Sequence, residues 1–255
     1  MNMFDRHDQI VRALSERAFV SVAHAVQLTG GSPATIRRDF TKLTADGIAR
    51  RVRSGIRTVE SVGMTPFAMR EVQYSKEKEA LAQKAAALLK AGDTVFIDGG
   101  TTTFHLGACL PKLPLRVITN SLRLAVLIDS PPRRNPHLEI FLTGGCLYPN
   151  SGLLVGPGAH GSLAQYHANW AFLSVGGITA EGLFNTTEQV VETERRMIAN
   201  ADKVALLADP GKIGRHAMCH VCPLDGVDLL ITNHTPSTAA ILRQFEEAGM
   251  QVVIV

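Results

Sequence analysis

Long apolar runs are missing from this chain. No stretch among its 255 residues approaches the roughly 20 apolar residues that a membrane-crossing helix needs. Near the start, Asp5-Arg6-His7-Asp8 stands where a secretory leader would carry its apolar core, so a cytoplasmic protein is expected. Cysteine is scarce as well. Cys109, Cys146, Cys219 and Cys222 are irregularly spaced, which excludes a disulfide framework as an expectation and points to a reducing compartment. Cys219-His220-Val221-Cys222 is a single CxxC pair with no second pair nearby, and the nine histidines form no spaced ligand set, so neither a metal nor a cofactor is expected. Internal repeats and low-complexity segments are absent too. What is present is an ordinary core-forming composition, 45% hydrophobic and 19% charged, long enough for one large domain or a small one plus a medium one.

The net charge of +3 hides an uneven distribution. Residues 1–59 hold ten Lys/Arg against five Asp/Glu, a surplus of +5, whereas residues 60–255 hold sixteen against eighteen. A basic surplus confined to one segment is the electrostatic footprint of a nucleic-acid module.

Inside that segment lies Ser32-Pro33-Ala34-Thr35-Ile36-Arg37-Arg38-Asp39-Phe40-Thr41-Lys42-Leu43. Ser32 is a natural N-cap and Pro33 suits the first helical position, where its missing N–H costs nothing. Ile36, Phe40, Leu43 and then Gly47 follow one inward stripe. Ala34, Arg38, Thr41 and Ala45 fall opposite it, with Thr35, Arg37 and Lys42 on the flanks. A helix that buries one side and shows small residues and guanidinium groups on the other fits a DNA major groove.

The flanking segments supply its frame. Residues 4–17 read as an amphipathic helix with Ile10, Val11 and Leu14 inward. Ser21 caps a second helix whose apolar set is Val22, Ala25, Val26 and Leu28. Thr29-Gly30-Gly31 breaks it before the Ser32 helix, which makes a helix-turn-helix. After Gly47, residues 48–59 read as two strands around a Ser54-Gly55 turn. The whole is a winged helix-turn-helix over residues 1–59, with a basic wing. Residues 60–74, with Gly63 and Pro66, read as a linker.

From residue 75 to 255 the pattern becomes α/β. A helix is expected from Ser75 to Leu88 or Leu89, ending at Ala91-Gly92. Short apolar runs follow at Thr94–Ile97, Leu115–Thr119, Leu138–Leu142, Trp170–Val175, Val204–Ala208, Asp228–Thr232 and Gln251–Val255. Helical segments at 101–110, 121–129, 157–166, 187–200 and 236–247 fall between most of them. Near-continuous apolar strands alternating with helices predict a mostly parallel sheet covered on both faces.

Several of these strands end in small or polar residues: Asp98-Gly99-Gly100-Thr101-Thr102-Thr103, Thr119-Asn120-Ser121, Thr143-Gly144-Gly145, Gly176-Gly177 and Asp209-Pro210-Gly211-Lys212. In open α/β sheets the ligand crevice lies outside the carboxyl ends of the strands. Glycines there let a ligand approach the backbone, and Thr101–Thr103 sit where a helix start favours an anion, typically phosphate. Asp98 is suited to sugar hydroxyls and Lys212 to phosphate charge. A phosphorylated polyol or sugar site is the expectation.

These motifs together resemble the DeoR family of bacterial transcriptional repressors along essentially the whole chain. Ser32 to Leu43 matches the family's recognition-helix signature, Ser-x-x-Thr-Ile-Arg-Arg-Asp-hydrophobic-x-x-Leu. The strand-end motifs above, Ser151-Gly152-x-x-Val155-Gly156, Gly176-Gly177-Ile178, Glu188 and Asp209-Pro210-Gly211-Lys212-Ile213-Gly214 resemble its sensor domain. The resemblance implies a winged helix-turn-helix followed by a mostly parallel α/β sensor domain of the ribose-5-phosphate isomerase-like fold, binding phosphorylated sugars or their metabolic products. It implies Asp98, Gly100, Thr101, Thr102, Thr103, Asn120, Ser121, Gly144, Gly145, Gly177, Glu188 and Lys212 as effector-site residues. The chain departs from the family at the wing, where Arg53-Ser54-Gly55-Ile56 replaces the usual His-Gly-Gly-Ala. Arg53 keeps its charge at any pH, so the wing is expected to add salt-dependent phosphate affinity.

The expected function is therefore a repressor of carbohydrate-metabolism genes, at least a homodimer, bound to double-stranded operator DNA and controlled by a small phosphorylated sugar. Ser32, Thr35, Arg37, Arg38 and Lys42 on the helix, and Arg50, Arg51, Arg53 and Arg57 on the wing, are its DNA-contacting residues. The rival is a sugar-phosphate isomerase or hydrolase with an attached DNA-binding module, using Asp98 and Glu188 as carboxylates and Lys212 as electrophile. No catalytic residue is expected under the first reading.

Overall fold

The computed structural model describes residues 2–59, 66–131, 135–148 and 151–255. The chain divides into two compact units, residues 1–75 and 76–255.

The first unit begins with helix α1 (Met3–Arg17), strand β1 (Phe19–Ser21), helix α2 (Val22–Thr29) and helix α3 (Pro33–Ala45). Strands β2 (Ala49–Val52) and β3 (Gly55–Thr58) follow as the wing. The expected caps are in place: Ser21 Oγ accepts from His24 N at 3.1 Å, and Ser32 Oγ accepts from Thr35 N at 3.2 Å. Ile10, Val11, Leu14, Ile36, Phe40 and Leu43 are completely buried in one core. Two positions differ from the sequence reading. Leu28 is exposed, and Thr29 turns inward instead, because Ala25 and Thr29, four residues apart, share the core-facing side of α2. Gly47 is not part of the buried stripe; it lies beyond α3 with φ +71° and turns the chain into the wing.

Strand β1 was not expected. It pairs with β3 in a three-stranded sheet of order β1-β3-β2, which ties the wing to the helices. A Cβ on Gly55 would lie 2.1 Å from the Val20 carbonyl oxygen, so this crossing admits only glycine. The segment read as a linker contains helix α4 (Phe67–Val72), with Phe67 and Met69 buried; Gly63 lies outside the described residues. After α4 the chain is fastened to α1. Tyr74 N donates to Asp8 Oδ1 at 2.9 Å, and the Arg12 guanidinium stacks 3.8 Å from the Tyr74 ring centre.

The second unit is built on a seven-stranded parallel sheet. Its strands are β4 (Thr94–Ile97), β5 (Leu115–Thr119), β6 (Leu138–Leu142), β9 (Ala168–Leu173), β12 (Ala201–Ala208), β14 (Leu229–Thr232) and β15 (Gln251–Ile254). These are the seven apolar runs read from the sequence. Between β6 and β9 lie the hairpin β7 (Cys146–Tyr148) and β8 (Leu153–Val155), then helix α8 (Pro157–Leu163). A small antiparallel sheet holds β10 (Gly177–Thr179), β11 (Gly182–Asn185) and β13 (Cys219–Cys222).

Side-chain alternation along the strands feeds two cores. Val95, Ile97, Phe172, Ala205 and Leu207 point to helices α5 (Ser75–Ala86), α6 (Thr101–Cys109) and α7 (Leu122–Asp129). Phe96, Ala171, Leu173, Leu206 and Leu230 point to the other face, under α8, α9 (Glu188–Ala199) and α10 (Ala239–Glu247). Burial on both faces explains why these strands read as continuous apolar runs. The order is β15-β14-β12-β9-β4-β5-β6. From β4 the chain steps outward to β5 and β6, then returns to β9 on the other side of β4 and steps away through β12, β14 and β15. The strand order therefore reverses between β4 and β9, and the connections leaving their carboxyl ends diverge there.

Candidate functional site

In the first unit, α3 presents one charged face. Arg37 and Arg38 are exposed, as are Ala34, Thr41 and Ala45, and neither guanidinium makes a hydrogen bond or ion pair among the described residues. Thr35 is half-buried, its hydroxyl 2.9 Å from Ser32 Oγ, so Ser32 serves the helix start. Lys42 is exposed but engaged with Asp46 Oδ1 at 2.8 Å. On the wing Arg50, Arg51, Arg53 and Arg57 are all exposed. Arg50 stands directly opposite Arg57 across β2 and β3. Arg51 pairs with buried Ile56 and lies 5.6 Å from the Phe40 ring, linking wing to helix.

Asp39, inside the signature, does something the helical pattern did not reveal. It is buried and takes three bonds from α1: Arg6 Nε at 2.7 Å, Arg6 Nη2 at 3.1 Å and His7 Nε2 at 3.0 Å. Burial opposes ionisation of Asp39, but the hydrogen bonds and charge of Arg6 and His7 outweigh it and hold the carboxyl below its usual range. This buried clamp sets the orientation of α3 on α1.

In the second unit the polar residues gather where the strand order reverses. Lys212 Nζ donates to Ser174 Oγ at 2.6 Å and to Thr102 Oγ1 at 3.3 Å, and lies 3.8 Å from Asp209 Oδ2. Ser174 Oγ also donates to Thr102 Oγ1 at 3.2 Å. Ser174 follows β9, and Thr102 opens α6 after β4. Asp98 is buried, and its Oδ2 accepts from Gly100 N at 3.2 Å. No side chain caps α6 at Gly100, so its positive end faces the same place. Asn120, one strand over, is completely buried. Both its amide atoms lack a hydrogen-bond partner.

Other expected effector residues have structural duties. Thr103 Oγ1 donates to the Gly100 carbonyl at 2.9 Å, Thr101 is buried, and Ser121 Oγ caps α7 by accepting from Leu124 N at 3.2 Å. The glycines are required by packing more than by ligand approach. A Cβ on Gly100 would lie 2.6 Å from Ser174 Cβ, and one on Gly177 would lie 2.0 Å from the Arg215 carbonyl oxygen. Gly144 and Gly145 take φ of +69° and +106° at an exposed turn.

Glu188 is exposed in the first turn of α9, and no hydrogen bond or ion pair joins it to this cluster among the described residues. The acid of α9 that faces the strand ends is Glu194, six residues on, which the charges of Asp98 and Lys212 both reach. Sequence reasoning missed Glu194 and Ser174, since a single polar residue within an apolar pattern carries no spacing signal. The Cys219/Cys222 pair sits on β13. Burial, with Glu194 and Asp225 nearby, pushes the Cys222 thiol up to about 11, away from a reactive thiolate.

A helix-turn-helix unit with an unpaired arginine face, joined to a doubly wound domain with polar strand ends, defines a DNA-binding transcriptional regulator. Family models described as "DeoR-like helix-turn-helix domain" and "DeoR C terminal sensor domain" match residues 6–62 and 73–234. The chain belongs to the DeoR family. It is 33% identical to the HTH-type transcriptional repressor CsqR of Escherichia coli (strain K12), over 98% of this chain and 94% of that one. The HTH-type transcriptional regulator UlaR of Escherichia coli (strain SMS-3-5 / SECEC) is likewise 33% identical, over 99% of each chain. Among solved structures, the probable sor operon regulator from Shigella flexneri matches 66% of this chain and 88% of its own at 14% identity and TM-score 0.42. Ribose 5-phosphate isomerase A from Methanocaldococcus jannaschii matches 55% of each chain at 17% identity and TM-score 0.40. Likenesses at that level say nothing of activity. No described helix is long and apolar enough to cross a membrane.

Proposed function

We propose that this regulator represses carbohydrate-metabolism genes in the cytoplasm and that a phosphorylated sugar or related metabolite controls its hold on the operator. Residues 1–59 bind DNA and residues 75–255 bind the effector. Arg37, Arg38 and Thr35 meet base edges and phosphates in the major groove, with Ser32 and Lys42 at its margins, while Arg50, Arg51, Arg53 and Arg57 meet the backbone alongside. The chain works as a homo-oligomer, at least a dimer, on repeated operator sites.

One observation carries the effector assignment: the Lys212 ammonium, bonded to Ser174 and Thr102, lies beside an uncapped helix start where the strand order reverses. A cation and a helix N-terminus together suit a phosphate. Asp98 and Asn120, buried alongside, suit hydroxyl groups. The effector alters operator affinity by as much as it prefers one arrangement of the protein over another, and release of DNA is the sign proposed. A thermal-shift panel of pentose and hexose phosphates tests the assignment, because a specific ligand stabilises the state it binds. A rise in midpoint with at least one of them is expected; no shift with any, alongside intact operator binding, overturns it. We read the cluster as a sensor without turnover, as the regulator names of the relatives suggest. Product formation from the same sugar phosphates would overturn that part.

A further inference from the structure

Glu194 is completely buried on α9. Its Oε1 accepts from the Asn185 side-chain amide at 2.5 Å, and its Oε2 has no hydrogen-bond partner. Burial drives the carboxyl well above its usual range, the charge of Asp98 adds to the rise, and the Asn185 bond and Lys212 charge only partly offset it. Burial therefore favours the protonated form of Glu194. Oε1, facing the amide donor, acts as the carbonyl oxygen, which leaves the O–H on Oε2 with nothing to receive it. Asn120 presents the same deficit from the end of β5, with both amide atoms buried and unpartnered. Buried polar atoms in native proteins are paired as a rule, and each exception costs stability. The charges of Asp98 and Lys212 reach Glu194, and Asn120 follows β5, the strand paired with the β4 strand that leads into Asp98, so the unmet hydrogen bonds lie at neighbouring strand ends.

We propose that Glu194 and Asn120 are hydroxyl-reading residues of the effector site: Glu194 donates through its Oε2–H to a sugar oxygen, and Asn120 both donates to and accepts from neighbouring hydroxyls. The proposal rests on the reading that the strand ends hold a sugar phosphate. It adds the division of labour. The Lys212 end takes the phosphate, and the buried acid and amide read the uncharged polyol. A site built around such groups rejects a ligand that cannot complete them. Affinity for inorganic phosphate alone is then indifferent to both residues.

The test is calorimetric titration of the full-length chain with ribose 5-phosphate, fructose 6-phosphate, xylulose 5-phosphate and inorganic phosphate. The variants are Glu194→Leu, Glu194→Gln and Asn120→Ala. Glu194→Leu and Asn120→Ala are expected to weaken sugar-phosphate binding about tenfold or more and to leave inorganic phosphate unchanged. Glu194→Gln keeps an acceptor for Asn185 and a donor for the ligand, so it stays within about threefold of wild type. A pH series gives a readout that needs no apolar variant. The groups facing Glu194 are Asp98 after β4, Lys212 after β12, Asn185 on β11 and Cys222 on β13. Wild-type affinity falls as rising pH removes the Glu194 proton, whereas Glu194→Gln lacks that fall. Equal binding by wild type, Glu194→Leu and Asn120→Ala, or identical pH profiles for wild type and Glu194→Gln, overturns the proposal and leaves the sensor reading standing. If wild type binds none of the three sugar phosphates, the reading falls and the proposal with it.

Discussion

The two units handle polar groups in opposite ways. In the first, the groups proposed to bind stand in solvent: Arg37, Arg38 and the wing arginines are exposed, and the buried Asp39 carboxylate is paired with Arg6 and His7. In the second, the corresponding groups are buried and partly unsatisfied, as at Asn120 and Glu194. DNA is a large polyanion that arrives with its own solvent and counterions, so long flexible cations on a rigid helix serve it best. A small polyol must be enclosed to be distinguished, and the reading groups then have to be dry before it arrives. The contrast also separates what each unit risks. Loss of a buried, satisfied group costs stability, and loss of an exposed one costs affinity.

That separation can be broken at graded points. The largest effect is expected from Asp39→Ala, which strands the Arg6 and His7 side chains and should cost the first unit about 3 kcal/mol or more, seen as lost hydrogen-exchange protection across residues 3–58. The same clamp predicts acid sensitivity. Asp39 is held below its unfolded pKa, so its contribution is full above the ordinary carboxylate range and disappears as pH falls through the depressed value. A first unit whose protection is unchanged down to pH 2 would remove the clamp from the account.

Lys212→Met should weaken sugar-phosphate binding by about 2 kcal/mol, read by calorimetry, while operator binding without effector is kept. A parallel loss of operator binding would mean that the two units are not separable in this way. Arg38→Ala should cost on the order of 1–3 kcal/mol in affinity for an operator obtained by in vitro selection, if it forks onto a guanine; an unchanged footprint removes it from the reading set. Ser32→Ala loses the cap of α3, about 1 kcal/mol, measured by urea unfolding. The smallest effect concerns the wing. Arg50→Ala or Arg57→Ala should lower the slope of log affinity against log salt by about 1 each. An unaltered slope would mean that the opposed pair meets no phosphate.

Legibility in the sequence followed the same divide. Helices α1, α2 and α3, two of their caps and the seven parallel strands were all readable, because period and capping chemistry are local. Strand β1 was not, since Phe19–Ser21 is three residues long and is made a strand only by its pairing with β3. Helix α4 hid among residues of weak pattern. In the candidate site, Asp98, Thr102 and Lys212 stand at strand ends that the pattern marks. Ser174 and Glu194 acquire meaning only when β9 and α9 are packed, for burial and an unanswered hydrogen bond have no period. Gly100 and Gly177 were legible as glycines but not for their reason, which is a neighbour's atom within a bond's reach of the missing Cβ.

Helix α1 ends up with two attachments. Toward its start, Arg6 and His7 grip α3 through Asp39; the next residue, Asp8, and Arg12 a turn beyond it grip Tyr74, the last stop before residue 75. The α-helix is stiff over that distance, so α1 couples α3 at one attachment to the outgoing chain at the other. A tug on the chain at residue 74 that carries α1 with it would tilt α3 by the same angle, without any change in the arginines proposed to meet DNA.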